Sequence, residues 1–88
     1  MSTQEELIEL FERFEGEELM SVDGFDRAVV GVGERMGSSP FLVYDKLLMV
    51  EMLVQRDKMG YEEALEFFNY NILGSYVGES TPVFITLV

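Results

Sequence analysis

Gly60-Tyr-Glu-Glu-Ala-Leu-Glu-Phe-Phe-Asn-Tyr-Asn-Ile-Leu73 is the stretch whose reading decides the fold. Tyr61, Ala64, Leu65, Phe68 and Ile72 recur at i, i+3, i+4, i+7 and i+11, one continuous helical face, and Glu62, Glu63, Glu66 and Asn69 take the other side. Gly60 is an acceptable N-cap with Glu63 at N3, and Gly74 is placed to be the C′ residue. Long apolar segments lie on either side of this helix.

Immediately upstream, Asp45 can cap a second helix running from Lys46 to about Asp57. Leu47, Leu48, Met49, Val50, Met52, Leu53 and Val54 surround most of its circumference, and a helix apolar all round is buried all round. The short connection to Gly60 joins the two helices as an αα-hairpin. Downstream, Val83-Phe-Ile-Thr-Leu-Val88 is an unbroken strand-forming run. A free edge there would invite aggregation, so it is expected inside the sheet or paired across an interface. These two apolar segments predict a homo-oligomer, a two-fold dimer being the commonest solution.

Towards the N-terminus, Phe41-Leu-Val-Tyr44 reads as a strand preceded by the loop signal Gly37-Ser-Ser-Pro40. Residues 25–36 fit either period. As a helix they align Phe25, Ala28, Val29, Val32 and Met36; as a strand they supply three valines from Ala28 to Arg35. Gly31 and Gly33 would each cost a helix interior about 1 kcal/mol, whereas in a strand they can mark a bulge or a close backbone approach. The strand is the better fit, and it makes a hairpin with 41–44. Ser2 or Thr3 caps a first helix in either of two capping-box registers, with Leu7, Leu10, Phe11 and Phe14 as its apolar stripe, widened by Ile8, and Gly16 as its stop. The expected architecture is a single α+β domain in the order α-β-β-α-α-β, with a small three-stranded antiparallel or mixed sheet. Residues 1–16 form an acidic helix separable from a 23–88 core.

Composition removes several chemistries. With 88 residues, 48% of them hydrophobic, the chain can bury a core. It has no cysteine and no histidine, hence no disulfide framework, no thiolate, and neither the commonest general base nor the commonest metal ligand. The net charge of −11 is lopsided: residues 1–26 hold nine acids against Arg13 alone. That argues against direct nucleic-acid binding and against an anionic membrane surface. The opening Met-Ser-Thr-Gln-Glu-Glu lacks a basic leader and no apolar run has bilayer length, so a cytoplasmic protein is expected.

The string Met59-Gly-Tyr-Glu-Glu-Ala-Leu-Glu-Phe-Phe68, with Asn71-Ile-Leu-Gly-Ser-Tyr-Val-Gly-Glu-Ser-Thr-Pro-Val-Phe-Ile85, resembles small uncharacterised proteins of tailed phages and prophages. Val30-Gly-Val-Gly-Glu-Arg-Met-Gly37 and Val43-Tyr-Asp-Lys46 are similar to the same group. The resemblance covers about residues 23–85 and omits the acidic helix; members often carry Ser or Thr where this chain has Gly60. It carries over no functional residue. It implies a phage origin, and small phage proteins outside the virion and replication machinery often act by binding host or defence proteins.

Four groups of residues are candidates for function. Gly31-Val-Gly33-Glu-Arg-Met-Gly37 is one residue longer than a dinucleotide fingerprint and precedes a strand rather than a helix, so strand and turn glycines are the better account. Asp23 and Asp26 with Glu34 or Glu51 could gather around a cation, but lack calcium-loop spacing and read as solvated surface. Neither a metal nor a cofactor is expected. Tyr44, Asp45, Tyr61, Tyr70, Asn71 and Tyr76 suit a small-molecule pocket or an interface hot spot, but tyrosines at the core margin with their hydroxyls in water are the better account. Glu5, Glu9, Glu12 and Glu15 could present carboxylates to a basic partner, or simply solubilise the first helix. The leading expectation is a non-enzymatic protein that binds a basic surface of a host or defence protein through those four glutamates. The alternative is an oligomeric binder or sponge for a signalling nucleotide, built on Tyr44, Asp45, Tyr70, Asn71 and Tyr76, against which stands the shortage of cations. An enzyme ranks third, since no poised pair of Asp, Glu, Lys or Tyr is evident.

Overall fold

A computed structural model describes residues 3–17, 19–74 and 81–88. The elements are α1 (Gln4–Arg13), a 3-10 turn (Asp26–Ala28), β1 (Val29–Gly33), β2 (Phe41–Asp45), α2 (Lys46–Arg56), α3 (Tyr61–Phe67) and β3 (Val83–Ile85), with α3 continuing as a π-helical segment over Phe68–Leu73. The class is α+β and the order is the expected one. The three-stranded sheet is mixed, in the order β1-β2-β3. β1 and β2 are antiparallel and β2 and β3 parallel, with the α2–α3 pair in the crossover between them.

Residues 29–33 are a strand, and both glycines do what a strand permits. Val29 pairs with Tyr44 while Gly31 pairs with Val43, so Val30 is an extra residue bulged out of the ladder. Gly33 faces Phe41, whose ring lies where a Cβ would be. Gly37 closes the hairpin with φ +82°.

The core is drawn from every described element. Leu42 and Tyr44 of β2 are fully buried; they meet Ala28 and Val29, Met49, Val50 and Leu53 of α2, and Ala64, Phe68 and Ile72 of the third helix. Phe84 of β3 completes a run of rings, 5.8 Å from Tyr44 and edge-on to Phe68 at 5.2 Å. Arg56, at the end of α2, donates to the Gly24 carbonyl at 2.7 Å and lies 4.7 Å over the Phe25 ring, pinning the connector to the helix.

Several expectations are corrected. Tyr61 does not face inward but is 55% exposed: it opens the helix, and Met59, just before the cap, packs on the core in its place. Gly74 is not a left-handed C′ residue. It has φ −88°, because the helix ends in the wider π turns instead of a left-handed cap. The left-handed residue of the αα-hairpin is Lys58, with φ 58°. α2 is apolar round most of its circumference but not buried all round within this chain: Met49, Val50 and Leu53 are buried, Leu48, Met52 and Val54 half-buried, and the open line is Leu47, Glu51 and Gln55. Of the two places expected for the C-terminal run, the interior of the sheet is not the one taken: among the described residues β3 is an edge strand, and three residues of 83–88 are strand. Finally, α1 contributes to the core, with Leu7 only 7% exposed within it and Leu10 packed against it.

Candidate functional site

The most distinctive surface is the outward side of α1. Thr3 caps the helix in the capping-box arrangement: its hydroxyl accepts the Glu6 amide at 3.1 Å, and its own amide donates to Glu6 Oε1 at 2.9 Å. These bonds, the backbone one foremost, favour the charged carboxylate and hold its pKa below the ordinary glutamate value. The helix stops at Arg13, and Gly16 with φ +91° turns the chain away.

Leu7, Leu10 and Phe14 lie on one side and hold α1 to the core or its margin. That orientation leaves Glu5, Glu9 and Glu12 in solvent on the helix, with Glu15 exposed in the turn that follows. Among the described residues none of these four carboxylates has a cation within 4 Å. The same geometry exposes two apolar side chains, Ile8 at 50% and Phe11 at 37%. Ile8, Phe11, Glu12 and Glu15 line an open groove. A second cleft, of about 350 Å³, is bordered by Phe11, Phe14, Leu19 and Asp26.

Ile8 and Phe11 were missed as surface residues because both were counted into the apolar stripe. The signal was present in the spacing. Successive residues are 100° apart, so Ile8 lies well off the Leu7–Leu10–Phe14 line, and a helix packed on one side cannot bury that whole arc.

The tyrosine set is dispersed. Tyr44 is corrected from pocket residue to core residue: it is 0% exposed, and its hydroxyl accepts the Val22 amide at 2.8 Å. Asp45 caps α2, accepting the Leu48 amide at 3.3 Å. Tyr70 is 81% exposed on the π-helical segment, Asn71 is exposed beside it, and Tyr76 lies outside the described residues. Asp23, Asp26, Glu34 and Glu51 do not converge either, as no group of three or more potential metal ligands occurs among the described residues. Gly31 and Gly33 belong to the ladder and Gly37 to the hairpin loop, so they cradle no helix N-terminus. Among the described residues no helix is long and apolar enough to cross a membrane.

No family model matches the chain, and no match is found among curated proteins or solved structures.

Proposed function

We propose that this protein is a non-enzymatic binding module that docks the acidic side of α1 on a basic surface of a partner protein. The observation that carries the reading is the outward display of Glu5, Glu9 and Glu12 on a helix anchored from behind by Leu7, with Glu15 exposed in the turn after it. An anchored helix loses little further freedom on binding, and its unneutralised carboxylates raise the encounter rate with a cationic surface. The resemblance over residues 23–85 makes a phage protein acting on a host or defence protein in the host cytoplasm the context we favour. The small-molecule alternative is weaker, since Tyr44 and Asp45 are committed to the core and to a helix cap.

Removing residues 1–16 is a poor test, because it would also take Leu7 from the core. Replacing Glu5, Glu9, Glu12 and Glu15 together with glutamine removes the charge and leaves the anchor. Proteins retained by the immobilised wild-type chain from a host lysate should be lost from this variant. Once one is purified, the substitutions should weaken binding by at least about tenfold and flatten its dependence on salt. A retained protein that binds both forms equally would overturn the reading.

A further inference from the structure

We infer that the groove on α1 receives one amphipathic helix of the partner, with apolar residues at i and i+3 or i+4 flanked by lysine or arginine. The inference rests on the binding reading above and specifies what the acidic surface recognises. A charged face alone would call for any cationic surface. This one is not charged alone: Ile8 and Phe11 are exposed beside Glu12 and Glu15, and all four line the same groove.

The spacing suits a helix. Ile8 and Phe11 are three residues apart on α1, a rise of about 4.5 Å, close to the one-turn repeat of about 5.4 Å that separates neighbouring side chains on one face of a docked helix. Apolar side chains of such a helix can interdigitate with the two, the usual way in which a helix is read by a groove. The border of the groove then dictates the flanks. Glu12 and Glu15 lie in its lining, Glu5 and Glu9 are exposed on the same helix, and none has a cation of this chain within 4 Å among the described residues. The partner must supply that charge.

A second copy of the chain does not fit. Its net charge is −11, and α2, its most apolar helix, carries Lys46 and Arg56 at opposite ends with Glu51 between them. An anionic membrane or a nucleic acid is repelled by the same carboxylates.

Three labelled peptides of about 14 residues test this with the full-length protein. The first is a lysine–leucine helix with its leucines on one face, the second has the same composition scrambled so that no face forms, and the third is oligolysine. Fluorescence polarisation at about 0.15 M salt should show the amphipathic peptide binding at least about tenfold tighter than the scrambled one. The double variant Ile8→Ser, Phe11→Ser should abolish that advantage and leave oligolysine binding unchanged. Because Phe11 also borders the second cleft, Ile8→Ser alone, checked by circular dichroism, provides an independent arm, and it should remove at least about threefold of the advantage. Equal binding of the amphipathic and scrambled peptides, or full affinity in both serine variants, would overturn the inference yet leave the charge reading standing. Binding of none of the three peptides would remove both.

Discussion

Tyr44 unites two requirements that one residue seldom meets in so small a protein. Its ring fills the centre of the core beside Phe84, and its hydroxyl accepts the amide of Val22, itself buried. The connector after α1 is thereby tied to the central strand by a bond that water cannot replace. Tyr44→Phe keeps the ring but orphans that amide, which should cost about 1–3 kcal/mol. Urea denaturation should show the loss as a lower midpoint with an unchanged slope. A midpoint equal to wild type would mean that the Val22 amide has another partner. Gly33 makes the complementary point, because its missing Cβ is what admits the Phe41 ring. Sequence reasoning allowed its two strand glycines a bulge or a close approach; Gly31 follows the bulge and Gly33 takes the approach.

At the scale of the element, α1 is held at its start by a reciprocal pair whose strength depends on pH. The hydrogen bonds from Thr3 depress the Glu6 pKa in the folded state. With the folded value below the unfolded one of about 4.3, the stabilisation is fully present above that pH and is lost as pH falls through the folded value. Acidification should therefore loosen the first turn of α1. Carbon-detected NMR should find the Glu6 carboxyl titrating below the usual glutamate range, with the Thr3 amide resonance moving in the same step. In Glu6→Gln, which can still close the cap by hydrogen bonding, the Thr3 step should vanish. A Glu6 pKa at or above the ordinary value would show that the box is open in solution. The third helix is less regular: Ala64, Phe68 and Ile72 keep the inward face through the change from α to π turns, while Tyr70 and Asn71 lie outside it.

For the whole molecule, the expectation of a dimer now rests on one of the two segments that suggested it in the sequence. α2 is covered by its own chain apart from the line through Leu47. An apolar segment left partly uncovered is at β3, whose only paired strand among the described residues is β2, and which is followed by exposed Leu87 and Val88. We propose that two copies associate there, by adding strand to strand. Light scattering after size exclusion should give about twice 10.1 kDa at low and high salt, since the contact is apolar. Val83→Lys, on an exposed position of β3, should return the monomer. A single 10.1 kDa species at micromolar concentration in both buffers would sink the proposal. It would leave the groove on α1 as the chain's interaction surface.

By itself the sequence determined the element order, the Asp45 cap, a capping box at Ser2 or Thr3, the hairpin about Gly37 and most of the inward face from Ala64 to Ile72. These depend on neighbours a few residues away, and periodicity and capping chemistry record such contacts directly. Only the tertiary structure decided which face of each element found a partner. Tyr61 and Ile8 carry apolar rings and branches at helical spacing, yet both are exposed, because the core ends before it reaches them. Tyr44 has the composition of a binding residue and is sealed in the interior, because Val22, 22 positions earlier, needed its hydroxyl. β3 has the most strand-like sequence in the chain and takes an edge, since its place is set by pairing with β2 across the α2–α3 crossover. Burial is a property of pairs of elements distant in the chain, and a local pattern specifies what can be buried without specifying what will cover it.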